Sequence, residues 1–128
     1  ILTGGHVILG LPGETHDEII AQAAELSRLP LTTLNMHQLQ LIRGTKMARE
    51  FECRPEDFHL FSVDEYIDLV IDYVEHLRPD LILERFVSQS PKELLIAPDW
   101  GLKNYEFTAR VQKRMKERGA YQGKAYLV

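Results

Sequence analysis

The chain has little cysteine and no long apolar run, and each shortage excludes a class of protein. Its 128 residues include one cysteine, Cys53, which excludes an internal disulfide and a self-contained zinc or iron–sulfur site built from several cysteines. A lone thiol is typical of the reducing cytoplasm, where we expect the protein. No apolar run approaches the roughly 20 residues of a membrane span, so no membrane partner is expected. The start, Ile1 to Gly5, has no initiator methionine and no signal-peptide layout, and we expect the chain to be part of a longer protein.

Charge is unevenly distributed along the chain. Residues 1–102 carry 8 Lys/Arg against 17 Asp/Glu, a net charge of −9, whereas residues 103–128 carry 7 against 2, a net charge of +5. A basic C-terminal segment of this kind can bind nucleic acid or an acidic surface. It can equally be the solvated face of a helix that is seated on the acidic body of the same protein.

One stretch near the start, HVILGLPGE, combines a strand with a glycine turn. His6 to Leu9 is too short for a helix and is bounded by glycines, which indicates a buried strand. Gly10 to Gly13 then forms a turn that allows close backbone approach, and Thr15 with Glu18 forms a capping box that begins a helix. In parallel α/β folds ligands bind at the carboxyl ends of strands, so the turn is a candidate ligand site. A tight connection without a ligand is the alternative.

The remaining apolar segments alternate between helical and strand periodicity. We predict parallel strands near 6–10, 33–39 and 81–86, helices over 15–28 and 63–78, and a short helix over 46–51. Ser62 and Glu65 form the capping box of the second long helix. This order predicts an α/β fold with a parallel sheet. A last helix over 103–118 should end at Gly119, and residues 120–128 resemble a tail.

Alternation assigns a face to each side chain of the first two strands. The expected helix-facing set is Val7, Leu9, Leu11, Leu34 and Met36. The expected interior set, on the opposite face, is His6, Ile8, Gly10, Asn35, His37 and Leu39.

Two motifs in the correct order identify a family resemblance. HVILGLPGET, from His6, is followed by HQLQLIRGT, from His37, and later by ERF and LIAPDW. Together they resemble the fifth and later strands of radical S-adenosylmethionine (SAM) enzymes, in particular the YhcC-like Fe–S oxidoreductase branch, which is related to oxygen-independent coproporphyrinogen oxidase and elongator-type domains. The resemblance covers nearly the whole chain but only the C-terminal part of such an enzyme.

The resemblance implies the C-terminal portion of a partial (β/α)6 TIM-like barrel, with residues 1–86 as half-barrel and 87–128 as an extension containing the basic helix. In the family a CxxxCxxC loop holds a 4Fe–4S cluster that binds SAM, and a GxIxGxxE pattern packs on the adenine. Here Ile8 and Gly10 match that pattern, His6 replaces its first glycine, and Gly13 occupies the acidic position, with Glu14 one residue later. The implied cofactor-binding set is Ile8, Gly10, Leu11, Pro12, Gly13, Leu39, Leu41 and Ile42. The implied substrate-side set is His6, Asn35, His37 and Arg85.

The CxxxCxxC loop is absent from this sequence, so the chain alone is expected to bind no metal, to hold neither cluster nor SAM and to be inactive. Its expected partners are the N-terminal half of the barrel and a second copy of the chain, because a cut sheet exposes an unpaired edge. One alternative is a nucleic-acid or protein-binding module that uses the basic segment. Another is a hydrolase or metal-dependent barrel that uses His6 and His37, although no HExxH or comparable spacing is present.

Overall fold

The computed structural model describes residues 2–126, and its centre is a sheet of three parallel strands. These are β1 (Gly4–Leu9), β2 (Thr33–Gln38) and β4 (Ile82–Arg85), in the order β1-β2-β4. β1 pairs with β2 from Gly4↔Thr33 to Leu9↔Gln38, and a bulge between Leu34 and Asn35 interrupts the pairing of β2 with β4. The three predicted strands and their parallel arrangement are confirmed. Residues 1, 127 and 128, which the predicted half-barrel and tail include, lie outside the described residues.

Two capped helices cover one face of this sheet. α1 (His16–Ser27) and α3 (Val63–Glu75) each begin with the predicted capping box, Thr15 with Glu18 and Ser62 with Glu65. A shorter helix, α2 (Lys46–Cys53), lies between them and is followed by a 3-10 turn, Pro55–Asp57. Of the predicted helix-facing set, Leu9, Leu34 and Met36 are buried and Val7 is half-buried, as alternation predicts, whereas Leu11, beyond the end of β1, is exposed. The core includes Leu9, Leu34, Met36, Ile19, Ala23, Tyr66, Val70, Tyr73 and Val74.

The C-terminal segment joins the same core. β3 (Leu41–Ile42) and β5 (Leu95–Ala97) form an antiparallel pair, which is not among the strands predicted from the sequence. α4 (Asn104–Arg118) ends at Gly119, which has φ 63°, and buries Phe107 and Val111 against α3 and its neighbours. The predicted boundary at residue 86 stays a prediction, although a single buried cluster crosses it.

Ion pairs seat the basic helix on the acidic one. Arg118 contacts Asp72 at 2.7 Å and Glu75 at 3.3 Å, and Arg114 contacts Asp68 at 3.1 Å. These partners raise the pKa of both guanidinium groups further. The interpretation of the basic segment as a helix seated on an acidic body is therefore confirmed for these two arginines.

The interpretation of residues 120–128 as a tail is wrong for the described part. Gln122 donates from Nε2 to the carbonyls of Arg78 and Leu81, at 2.9 and 2.7 Å, and the N–H of Gly123 donates to the carbonyl of Val74. This segment therefore donates further hydrogen bonds to carbonyls in the last turn of α3 and in the connection that follows it. Within residues 2–126, no helix combines the length and hydropathy needed to cross a membrane.

Candidate cofactor-binding and substrate-facing site

The glycine turn lies at the carboxyl end of β1 and is held by Glu14. The N–H of Leu11 donates to the Glu14 carboxylate at 2.8 Å, and the N–H of Glu14 donates back to the carbonyl of Leu11 at 3.0 Å. Gln22 of α1 donates to the second oxygen of the same carboxylate at 2.5 Å. Glu14, one residue past the acidic position of the family pattern, is therefore used to fix the turn to α1.

The two turn glycines are needed for different physical reasons. Both have positive φ, 90° at Gly10 and 82° at Gly13, a region that L side chains rarely adopt. The ring of Phe61 lies against Gly10, and a Cβ there would overlap it. A Cβ at Gly13 would meet nothing within 4 Å. The close approach at Gly10 is thus made by the protein's own Phe61, whereas the surface at Gly13 is open.

The face of the sheet opposite the helices is open and polar. Ile8 is 45% exposed there, although it belongs to a strand that pairs along its whole length with β2. Beside it, Nδ1 of His6 lies 3.0 Å from Nε2 of His37, and the two imidazole rings are nearly parallel, at 11°, with centroids 5.3 Å apart. The alternation argument is confirmed for His6, Ile8 and His37, which share this face, whereas Gly10 and Leu39, assigned to the same face, are buried.

Ser88, from the loop after β4, completes this group. Its Oγ contacts Nδ1 of His37. Two glutamines hold the loop in place: Gln38 accepts from the N–H of Ser88 at 2.8 Å and donates to its carbonyl at 3.0 Å, while Gln40 donates to that carbonyl at 3.3 Å. Because Gln38 is almost fully buried, this clamp fixes the position of the Ser88 hydroxyl against β2.

The electrostatic surroundings of His37 disfavour its protonated form. Partial burial lowers the pKa of His37, and the nearby charges of His6 and Arg85 lower it further. The amide of Asn35 donates to the carboxylate of Glu84 at 3.4 Å, so the acidic group on this face is already engaged. All four predicted substrate-side residues, His6, Asn35, His37 and Arg85, come from neighbouring strands of one sheet.

The predicted cofactor-binding residues fall into two groups. Ile8, Leu11 and Gly13 are exposed, and Pro12 and Ile42 are half-buried. Gly10, Leu39 and Leu41 are buried, and Leu41 pairs with Ala97 of β5. A role of Leu39 and Leu41 in binding a cofactor therefore rests on backbone atoms, and the whole set stays a prediction.

Sequence reasoning missed Ser88, Gln38, Gln40 and Phe61. The only available signal was positional, since Gln38 ends and Gln40 follows the strand on which His37 was already a candidate, and Ser88 follows β4. Their partners lie 48 to 51 residues apart along the chain, a separation that periodicity cannot bridge.

The described residues do not fit a 4Fe–4S cluster. Cys53, the single cysteine, is exposed at the end of α2. Across residues 2–126, no three His, Cys, Asp or Glu side chains are grouped so as to hold a metal ion. The open face and the turn, by contrast, offer an exposed aliphatic side chain and a glycine backbone, which fit the adenosyl part of SAM.

These features define a class of protein: part of a parallel α/β barrel whose ligand-facing end carries a glycine turn and a histidine pair. The model of the Radical_SAM C-terminal domain matches residues 32–117. The chain therefore belongs to the radical SAM family, as its C-terminal domain.

Relatives and a solved structure agree with this assignment. The chain is 34% identical to the uncharacterized protein YtqA of Bacillus subtilis and 32% identical to the uncharacterized protein MJ0486 of Methanocaldococcus jannaschii, over 94% and 93% of its length. It spans only 37% of each. It is 23% identical to YhcC of Escherichia coli, over 94% of this chain and 38% of that protein. A structure of Elp3 from Methanocaldococcus infernus shares the fold, with a TM-score of 0.79 and 15% identity over 95% of this chain and 28% of that one.

Proposed function

We propose that this chain forms the adenosyl-side and substrate-side wall of a radical SAM iron–sulfur enzyme, an oxidoreductase. The observation that carries the proposal is the exposed side chain of Ile8, on the open face of β1 and directly before the glycine turn. An aliphatic side chain at the end of a parallel strand is suited to pack on a flat base. The backbone around Gly13 is open to a ligand, because a Cβ there would meet nothing within 4 Å.

In this proposal, bound SAM supplies a carbon-centred radical once an iron–sulfur cluster has reduced it. The chain's own residues bind and orient SAM and the substrate, and they carry out no reduction themselves. Ile8 and the turn hold the adenosyl group, while His6, Asn35, His37 and Arg85 face the substrate. The ligands of the cluster belong to the part of the family barrel that this chain does not span.

The proposed partner is that remaining part of the barrel. β1 is the edge of the described sheet, so its outer N–H and C=O groups are free to pair with a further strand. The open face also exposes apolar surface, with Ile8 at 45% and Ile82 at 56%. In isolation the chain should cover this edge with a second copy and form a homodimer. A monomer in sedimentation equilibrium at high protein concentration would contradict this.

The test is a chimera in which this chain replaces the matching segment of YtqA, purified without oxygen and reconstituted with iron and sulfide. Ile8→Asp places a charge against the base, at a cost of several kcal/mol unless it is hydrated or protonated, and should weaken SAM binding at least tenfold. Val7→Ala, on the helix-facing side of the same strand, is the matched control and should bind SAM as the parent does. Equal binding by both variants, with cluster content unchanged, would overturn the assignment of Ile8.

A nucleic-acid-binding role of segment 103–124 is the second candidate. Tyr105 is 69% exposed on α4, and five cations of the segment have no ion-pair partner among the described residues: Lys103, Arg110, Lys113, Lys116 and Lys124. The pairing of Arg114 and Arg118 with α3 reduces the charge that remains for phosphates. Binding of a single-stranded RNA that weakens with salt, and weakens further on Lys113→Gln, would support this candidate.

A further inference from the structure

Ser88, His37 and His6 form a continuous row of hydrogen-bonding groups that ends at the open face of the sheet. Ser88 Oγ contacts one ring nitrogen of His37, and the other lies 3.0 Å from Nδ1 of His6. Nε2 of His6 has no partner among residues 2–126, and this side chain is exposed. We propose that the row is a proton relay, in which a bound substrate exchanges one proton at Nε2 of His6 and Ser88 is a positioning residue. The inference rests on the proposed function, which puts a substrate on this face.

The hydroxyl of Ser88 suits a relay because it both donates and accepts. When it donates to Nδ1 of His37, that ring carries its proton on Nε2 and donates to His6, whose own proton then lies on the open Nε2. When the hydroxyl accepts instead, both rings carry their protons on Nδ1, and Nε2 of His6 presents a lone pair. The first arrangement is a proton donor at the open face and the second is an acceptor.

One excess proton connects these two arrangements. Uptake of a proton from the substrate by Nε2 of His6 gives a pair with one positive charge, shared across the 3.0 Å contact. A second excess proton would put hydrogens on both facing nitrogens, where only one fits. The pair therefore takes up one proton and returns one proton, and no other bond forms or breaks in this step.

The charged groups around the row indicate what it exchanges protons with. β1 contributes His6, β2 contributes His37, and β4 contributes Arg85 and Glu84. Glu84 accepts a hydrogen bond from the neutral amide of Asn35, and Arg85 is the cation whose charge acts on His37. A cation beside a proton donor stabilises negative charge, so we assign the substrate a carbonyl oxygen that gains negative charge during the reaction.

The experiment is an NMR titration of the whole 128-residue chain, labelled with ¹⁵N in its histidine rings, from about pH 5 to pH 9. His6 and His37 should bind one proton between them over this range. Ser88→Ala should shift the ring nitrogens of His6, which Ser88 does not touch. Ser88→Thr, which keeps the hydroxyl, should restore the parent spectrum, and Gln89→Ala, in the same loop but with a side chain that contacts Leu102 rather than Gln38 or Gln40, should leave both rings unchanged.

The relay can also be tested by substituting His6, the exposed residue at its open end. The charge of His6 lowers the pKa of His37, so His6→Gln should make His37 bind a full proton at higher pH than it does in the parent. Two rings that each bind a full proton independently, or a Ser88→Ala effect confined to His37, would overturn the relay. This measurement requires neither SAM nor a cluster. A negative result here would refute the relay and not the role of Ile8, and a negative result with the chimera would refute the role of Ile8 and not the relay.

Discussion

Two buried tyrosines of α3 allow a direct test of which polar contacts stabilise the core. Tyr66 and Tyr73 are both fully buried, but only Tyr66 has a partner for its hydroxyl, the carbonyl of Phe86 at 2.8 Å. The hydroxyl of Tyr73 is buried without a hydrogen-bond partner among the described residues. Tyr66→Phe removes a hydrogen bond and leaves a carbonyl without its donor, so it should cost about 1–2 kcal/mol of the free energy of unfolding.

The matched variant Tyr73→Phe makes the same chemical change two turns further along the same face of α3. It removes a hydroxyl that is desolvated without compensation, so stability should stay within about 0.5 kcal/mol or rise. For a chain of this length, 1 kcal/mol corresponds to roughly 3–5 °C in the melting temperature.

Far-UV circular dichroism is the appropriate assay for this pair. The ring of Trp100 lies 5.3 Å from that of Tyr66, so its fluorescence would respond to the substitution itself. Equal losses in the two variants, or no loss in Tyr66→Phe, would refute the hydrogen-bond assignment.

Three further predictions concern the turn, the end of α1 and alkaline pH. Gly10→Ala should lower the free energy of unfolding by about 2–4 kcal/mol, because strain at positive φ adds to overlap with the ring of Phe61. Gly13→Ala should lower it only by the strain, about 1–2 kcal/mol. Urea unfolding compares the two variants, and equal losses would contradict the packing at Gly10. Arg78 donates to carbonyls at the end of α1 and in the loop that follows. Arg78→Met should therefore lower the free energy of unfolding by about 2–4 kcal/mol in the same assay, whereas the control Arg110→Met, at an exposed position, should lower it by about 0.5 kcal/mol or less. Burial raises the pKa of both tyrosines of α3 above 10.0, so their contribution to stability should be constant below about pH 9 and fall above pH 10, where only the unfolded state loses these protons; each Tyr→Phe variant should show a shallower fall.

The elements that the sequence predicted correctly are those whose causes are local. Each capping box joins residues three positions apart, as in Thr15 with Glu18, so the start of a helix can be predicted from a short stretch. Strand faces follow from a period of two, which placed Ile8 and His37 on the same side of the sheet. Because these causes act within a few residues, neighbouring parts of the chain have little influence on them.

Contacts between residues far apart along the chain were decided only by the tertiary structure. His6 and His37 are 31 positions apart, and Ser88 is a further 51 positions along, yet parallel pairing of the strands brings all three together. The composition of segment 103–128 likewise left open whether it was free or docked, until Arg118 was seen to reach Asp72 across 46 positions. The physical reason is the same in both cases. A side chain's type and spacing determine which face it occupies, but its partner is determined by the register of the sheet and the packing of the helices, and these depend on the whole chain.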